Sequence, residues 1–336
     1  MAIDLPFFHQ RIDRLRNEVG KVLVGQRPVV DAVLTCLAAD GHVLLEGVPG
    51  LGKTMLVRTL AQCLGLVYRR IQFTPDLMPA DVLGTQILDE ASDGRRQIRF
   101  QEGPVFTQIL LADEINRATP KTQSALLEAM QERQVTIAGA RRALPDPFFV
   151  MATQNPLEME GTYPLPEAQL DRFFFKVVVP FPTLDELVTV IDRTTTEARA
   201  TVSPVVTPDD LARMRQIVRQ VTMVPEVVRY AMRLVLATHP DLPSATPTAR
   251  RYLRYGASPR GAQTLVLGAK VGALLAKREY ASIADVRAIA VPSLRHRVGR
   301  SFEAEAEGLG TDTLIERILS EVPEVEGPAA GRELRA

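Results

Sequence analysis

The chain has 336 residues, of which 46% are hydrophobic; this suits about two packed domains and argues against global disorder. Its 40 Lys plus Arg balance 40 Asp plus Glu, which argues against a chain built mainly to coat nucleic acid or an anionic membrane, though a local basic patch fits that sum. Two cysteines, Cys36 and Cys63, and four histidines form no CxxC or HxxxH pairing, so the cysteines read as free thiols in a reducing compartment.

The N-terminal stretch MAIDLPFFHQRIDRLRNEVG lacks a charged region followed by an apolar core. No run approaches the length of a membrane span, so the chain reads as cytoplasmic. Ile12, Leu15, Val19 and Val22 recur three or four apart, which predicts one amphipathic helix over Phe8 to Val24. A turn at Val24, Gly25 and Gln26 leads into a second helix, Arg27 to Ala39. HVLLEG (His42 to Gly47) is a short buried strand, Lys53 to Leu64 a helix, and Val67 to Phe73 a strand. Thr74 to Gly84 reads as a proline-punctuated loop. It is followed by a polar hairpin whose turn is ASDG.

Phe106 to Glu114 is a continuous apolar strand, as expected where both faces are covered. KTQSALLEAMQER reads as a helix, QVTIAGARRAL as a second hairpin, and FFVMATQN and DRFFFKVVV as two more buried strands. Strands alternating with helices predict an α/β fold with a parallel, doubly wound sheet over residues 1–183. A linker is expected at 184–206, a small all-α domain at 207–300, and an acidic tail at 301–336 whose last ten or so residues are poorly ordered.

The chemistry concentrates in a few stretches. Gly47, Val48, Pro49, Gly50, Leu51, Gly52, Lys53 and Thr54 have the G-x-x-x-x-G-K-[ST] form between a strand and a helix. Its glycines let backbone N–H groups face phosphate oxygens, and the following helix points its positive end the same way. Lys53 is expected on the β and γ phosphates of a nucleotide, and the Thr54 hydroxyl on Mg²⁺. ILLADE ends an apolar strand with Asp113, to hold the metal, and Glu114, to polarise an attacking water as general base. An acid at that point suits hydrolysis. Asn155, at the end of the next strand, would hold the water through its amide. Arg172 is a candidate cation for a neighbouring subunit's γ-phosphate. Arg260 sits at a helix start, against the macrodipole, and is a candidate phosphate contact.

GVPGLGKT, LLADEINRA, ATQNP, LPEAQLDRF and ASPRG, in this order, resemble the AAA+ ATPases. IQFTPDLMPADVLG (Ile71 to Gly84) and QEGPVF resemble the MoxR group more narrowly, and the likeness covers about residues 8–300. The resemblance implies that Asn155 is sensor 1, Arg172 the arginine finger and Arg260 sensor 2, acting on its own subunit's nucleotide or a neighbour's. It implies that Val24, Gly25 and Gln26 line the adenine pocket. Residues 85–102 would be an insert within the second helix, and 135–144 a hairpin before the sensor-1 strand. It further implies hexameric rings that remodel or activate client proteins, often metalloenzymes, often with a partner carrying a von Willebrand factor A domain.

Three other readings stand beside it. A nucleic-acid motor would use Arg95, Arg96, Arg99, Arg141 and Arg142, but neither loop offers an aromatic partner for base stacking. A non-enzymatic nucleotide switch would leave Glu114 idle. A magnesium-chelatase-like motor subunit is a closer competitor, and TPDLMPADVLG favours the MoxR group over it.

Overall fold

The computed structural model describes residues 3–90, 96–156, 161–195 and 200–325. The ASDG turn, Arg95 and the expected poorly ordered end of the tail lie outside the described residues. The chain divides into two compact units, Pro6–Ile217 and, from Val218 onward, a second one.

The first unit opens with α1 (Leu5–Gly20) and α2 (Arg27–Ala38), followed by β1 (Val43–Glu46), α3 (Lys53–Leu64) and β2 (Tyr68–Gln72). Next come α4 (Pro79–Leu83), the hairpin β3 (Gly84–Glu90) and β4 (Arg96–Glu102), then β5 (Ile109–Asp113) and α5 (Pro120–Glu132). A second hairpin, β6 (Gln134–Ile137) and β7 (Ala140–Ala143), precedes β8 (Phe149–Gln154), α6 (Glu167–Leu170) and β9 (Phe175–Val178). The central sheet has the order β2-β5-β8-β1-β9 and every pair is parallel. All of β5 and most of β1 and β8 are buried, because helices cover both faces of the sheet, so their sequences read as unbroken apolar runs. Each fully buried Leu, Ile or Val of this layer, such as Leu44, Ile109 or Val150, contributes about 1.5–3 kcal/mol. β2 forms one edge and carries exposed Arg69 and Arg70, charges of the kind that blunt a sheet edge.

A parallel sheet puts the carboxyl ends of all its strands on one rim. The β1/β8 register pairs Glu46 with Gln154, and the β2/β5 register pairs Gln72 with Asp113. The sequence segments after β1, β5 and β8 therefore converge there.

Two expectations of the sequence change in this unit. The stretch Thr74 to Gly84 contains α4, started by Pro79 and by Asp81, whose carboxylate accepts the Met78 N–H (2.8 Å). Five residues are too short to show a helical period. Residues 184–206 carry α7 (Leu184–Thr195), and Val205 and Val206 donate to the Cys63 carbonyl at 2.8 and 3.2 Å. This segment packs on the first unit. The unit boundary falls inside α8 (Pro208–Gln220).

The second unit holds β10 (Thr222–Met223), α9 (Pro225–Ala237), α10 (Pro247–Tyr252), β11 (Leu253–Tyr255), α11 (Pro259–Leu275), β12 (Tyr280–Ala281) and α12 (Ile283–Leu294). It continues with β13 (Gly299–Arg300), α13 (Phe302–Ala306) and α14 (Thr311–Glu321). Two small ladders, β10 with β12 and β11 with β13, interrupt the helices. Residues 301–325 pack rather than trail. Leu314, Ile315 and Ile318 are buried, and Glu321 caps the start of α10 by accepting from the Thr248 hydroxyl (2.5 Å) and N–H (3.2 Å). The high charge of this segment hid a three-to-four-residue apolar spacing. Both cysteines are free and buried, and burial pushes the Cys63 thiol up to about 12. Among the described residues no helix is long and apolar enough to cross a membrane.

Candidate active site

The phosphate loop starts where β1 ends. Gly47 donates its N–H to the Gln154 carbonyl (3.2 Å), which ties the loop to the end of β8. Gly50 and Gly52 have φ of +85° and +77°, which only glycine adopts readily, and Gly52 caps α3. A Cβ on Gly47 would lie 3.1 Å from the Val179 carbonyl oxygen. The loop is thus a close-fitting cradle open toward the N-terminus of α3, whose first two residues are Lys53 and Thr54. The Lys53 ammonium donates to the Gly47 carbonyl across the loop. Burial pulls Lys53 below its ordinary value, and the carboxylates of Asp113, Glu114 and Glu46 pull the other way. Lys53 thus shares this rim with three carboxylates that are themselves paired to Arg70, Arg117 and Lys176.

Beside the cradle lies a cavity of about 400 Å³ whose lining joins Leu23, Gly25, Gln26 and Val30 to the polar side chains of Asp13, Arg16, Asn17 and Arg27. Gln26 donates its amide to the Leu51 carbonyl (2.8 Å), joining this cavity to the phosphate loop. Gly25 has φ +74°, a conformation that favours glycine, and the Glu186 side chain lies over it. Val24, Gly25 and Gln26 thus stand next to Gly47–Thr54. The combined shape, a backbone cradle with a helix N-terminus and an adjoining half-apolar cavity, fits a nucleotide.

Asp113 and Glu114 end β5. The buried Asp113 takes the Thr153 hydroxyl on Oδ1 (2.6 Å) and the Arg70 guanidinium on Oδ2 (2.7 and 3.1 Å). Thr153 also accepts the Glu114 backbone N–H (2.8 Å), so one hydroxyl of β8 fixes both acidic residues. Glu114 is left-handed at φ 55°, ψ 50°, a conformation that turns its side chain away from the strand line. Its Oε2 accepts from Gln72 (2.6 Å) and from Arg117 (3.1 Å). Asn155 is buried immediately after Gln154, the residue that holds Gly47.

The donor set suits magnesium. Among the described residues no three His, Cys, Asp or Glu side chains cluster as a self-sufficient metal site. Mg²⁺ in nucleotide sites commonly uses one or two protein ligands plus phosphate oxygens and waters; Thr54 and Asp113 would be the residues to hold it, Asp113 now accepting from Thr153 and Arg70.

Arg172 lies elsewhere in its own chain. It precedes β9, and Phe174 donates to the His42 carbonyl (2.7 Å), so Arg172 belongs to the rim where strands begin. Its guanidinium Nη1 donates to the Leu127 carbonyl of α5 (2.6 Å). Arg260 is in the second unit, in the first turn of α11, where the Ser258 hydroxyl accepts its backbone N–H (3.1 Å).

Sequence reasoning missed Arg70, Gln72, Arg117 and Thr153. The available signal was Arg70 and Gln72 two apart on a strand, hence on one face, and a lone Thr153 in an apolar run.

Comparison with known proteins gives the family. The model of the ATPase family associated with various cellular activities (AAA) matches residues 42–175, and that of the AAA lid domain matches residues 246–318. Chaperone MoxR1 of Mycobacterium tuberculosis is 42% identical over 314 residues, 93% of this chain and 81% of its own. The uncharacterised protein YeaC of Bacillus subtilis is 41% identical over 317 residues, 94% of this chain and 95% of its own. A crystal structure from Cytophaga hutchinsonii, assigned as an ATPase, superposes with a TM-score of 0.87 at 40% identity, covering 96% of this chain and 97% of that one. The chain belongs to the MoxR group of AAA+ ATPases and is a nucleotide-binding, ATP-hydrolysing enzyme.

Proposed function

We propose that this chain is the motor subunit of a cytoplasmic, hexameric ring that uses MgATP hydrolysis to remodel or activate client proteins, in concert with a partner bearing a von Willebrand factor A domain. The observation that carries the ring is the place of Arg172. The phosphate loop follows Glu46, whereas Arg172 lies before the level of His42. At about 3.3 Å per strand residue these rims are roughly 15 Å apart, beyond the reach of one arginine side chain. Arg172 can complete a phosphate site only on another copy.

Helix α7 supports a second copy independently. Glu186 lies over Gly25 and Arg193 donates to the Lys21 carbonyl (2.9 Å). Leu184, Val188 and Ile191 form an exposed apolar stripe beside the partly covered Leu187 and Val190.

In this reading Gly47–Thr54 bind the phosphates, and Lys53 holds the β and γ oxygens. Thr54 and Asp113 hold Mg²⁺, which when bound spreads charge over the β and γ phosphoryl groups. Asn155 places the water and Glu114 takes its proton. The neighbour's Arg172 offsets the charge developing on the γ-phosphoryl group. Arg260 reports the bound phosphate to the helical lid, and lid and hairpins move the client.

The protein client is favoured over nucleic acid by what the hairpin arginines do. Arg142 stacks over the Phe100 ring (4.0 Å) and Arg99 pairs with Asp89 (3.2 Å). The relative named Chaperone MoxR1 points the same way. The test is ATP turnover with added single- or double-stranded DNA and, separately, with a purified von Willebrand factor A domain partner. Stimulation by the partner alone supports the reading, and stimulation by DNA alone contradicts it.

A further inference from the structure

Helix α5 touches two separate parts of the hydrolytic machinery, and one buried amide on it ties them together. Gln123 is fully buried in the first unit. Its Nε2 donates to the carbonyls of Ile115 (3.2 Å), Ala118 (3.0 Å) and Tyr163 (3.0 Å). Ile115 and Ala118 belong to the turn that follows Glu114, and Tyr163 to the segment between Asn155 and Arg172. The Asn116 carbonyl of the same turn accepts the Tyr163 N–H (2.6 Å), so both backbone groups of Tyr163 are held. A carbonyl only accepts, so the Gln123 NH₂ must face all three, and its Oε1 has no hydrogen-bond partner among the described residues. Such a buried oxygen costs about 1–3 kcal/mol. An apolar chain would fill the space without that cost; what the amide adds is the tie.

The tie reaches Arg172. From Tyr163 the chain passes through Pro164, the buried Leu165 and Pro166 into α6. Each proline fixes its own φ, so little freedom remains between Tyr163 and α6. Further along α5 the Ser124 hydroxyl accepts from Gln169 (2.9 Å), and the Leu127 carbonyl accepts from Arg172 (2.6 Å). Helix α5 thus holds this strap at Tyr163, Gln169 and Arg172. Glu114, by contrast, has its own ties to Thr153, Gln72 and Arg117. Loss of Gln123 therefore falls on the strap rather than on the base.

We propose that Gln123 is a positioning residue for the neighbouring copy's reaction: through the strap from Tyr163 to Arg172 it sets the place of the arginine that this chain donates. This rests on the reading that Arg172 completes a neighbour's site. A residue that only held the fold would weaken a chain's own site and its donated arginine alike. The strap instead gives a directional defect. A chain lacking the Gln123 amide keeps a competent site of its own and offers its neighbour a misplaced arginine.

The test uses the full-length protein with Gln123→Met and, separately, with Pro164→Gly and Pro166→Gly together, two exposed positions at which folding is spared. ATP turnover is measured for each alone and after subunit exchange at equal proportions with Glu114→Gln or with Arg172→Ala. Gln123→Met alone is expected to lower kcat about tenfold or more, with binding of a fluorescent ATP analogue within about twofold of the parent. Exchanged with Glu114→Gln, it recovers toward about a quarter of the parent's rate, because its intact base then meets a well-placed arginine. Exchanged with Arg172→Ala, it stays at or below the mean of the two components. The proline variant follows the same pattern with a smaller loss.

The inference is overturned if Gln123→Met turns over ATP like the parent, or if in exchanged rings it recovers with Arg172→Ala or with neither partner. Should Gln123→Met not assemble, the proline variant is held to the same outcomes. Arg172→Ala exchanged with Glu114→Gln is run alongside. If that pair does not recover, the shared-site reading itself fails. If it recovers while Gln123→Met does not recover with Glu114→Gln, only the role of Gln123 fails.

Discussion

The backbone N–H of Phe174 donates to the carbonyl of His42 at 2.7 Å, and this bond fixes β9 against β1 with Arg172 on the rim away from the phosphate loop. In the proposed ring, a single chain holds two halves of two different sites. Removing Arg172 should therefore harm chemistry while leaving the chain's own nucleotide cradle whole. Arg172→Ala is expected to lower kcat by about 10³-fold or more while binding of a fluorescent ATP analogue changes little. A matching loss of affinity would indicate a role in the chain's own cradle.

Glu114 offers a cleaner separation of binding from hydrolysis. Its backbone is fixed by Thr153 and its carboxylate by Gln72 and Arg117. Glu114→Gln preserves the shape and loses the base. Phosphate release should fall by about 10²–10⁴-fold, with ATP retained through gel filtration.

His42 supplies a pH test. It is buried between Met130 and Val150, and because its Nδ1 accepts the Val150 N–H (3.0 Å), its Nε2 carries the proton that goes to the Met130 carbonyl (3.2 Å). Burial, foremost, and the nearby Arg133 lower its pKa from 6.5 to about 3. The folded group is thus depressed relative to the unfolded one. Between pH 6.5 and 3 the unfolded chain binds the extra proton, so stability falls as pH falls. At pH 4.5 the loss from this group is about 2–3 kcal/mol. Denaturant melts of the parent and His42→Leu should show the parent's stability declining more steeply by roughly that amount; parallel pH profiles would contradict it.

The outward apolar stripe of α7 predicts an assembly defect. Leu184→Glu with Ile191→Glu alters no residue of the phosphate loop or of β5. Sedimentation velocity should show smaller species than the parent, and ATP turnover per subunit should fall with the fraction dissociated. An unchanged assembly would separate α7 from the subunit interface.

Much of this site was legible in the sequence because its parts are local. The spacing of Gly47, Gly52, Lys53 and Thr54 needs only neighbours in the chain, and Asp113–Glu114 announce themselves by ending an apolar run. Strand alternation gave the parallel sheet for the same reason. Arg70, Gln72 and Thr153 were illegible because their partners lie about forty positions away, and only the β2/β5 and β5/β8 pairings bring them together. The helices α4 and α13 are five residues each, too short for a period to emerge.

The central claim, a hydrolytic site shared between two copies, is tested most directly by mixing subunits. Arg172→Ala lacks only the donated arginine, and Glu114→Gln lacks only the base. Mixed and allowed to exchange, the two inactive proteins form some interfaces that pair an intact Glu114 with a neighbour's intact Arg172. The account predicts that ATP turnover reappears in the mixture, approaching about a quarter of the parent's rate at equal proportions if each interface works independently. A mixture that stays as inactive as its two components, in rings shown to have exchanged subunits, would contradict it.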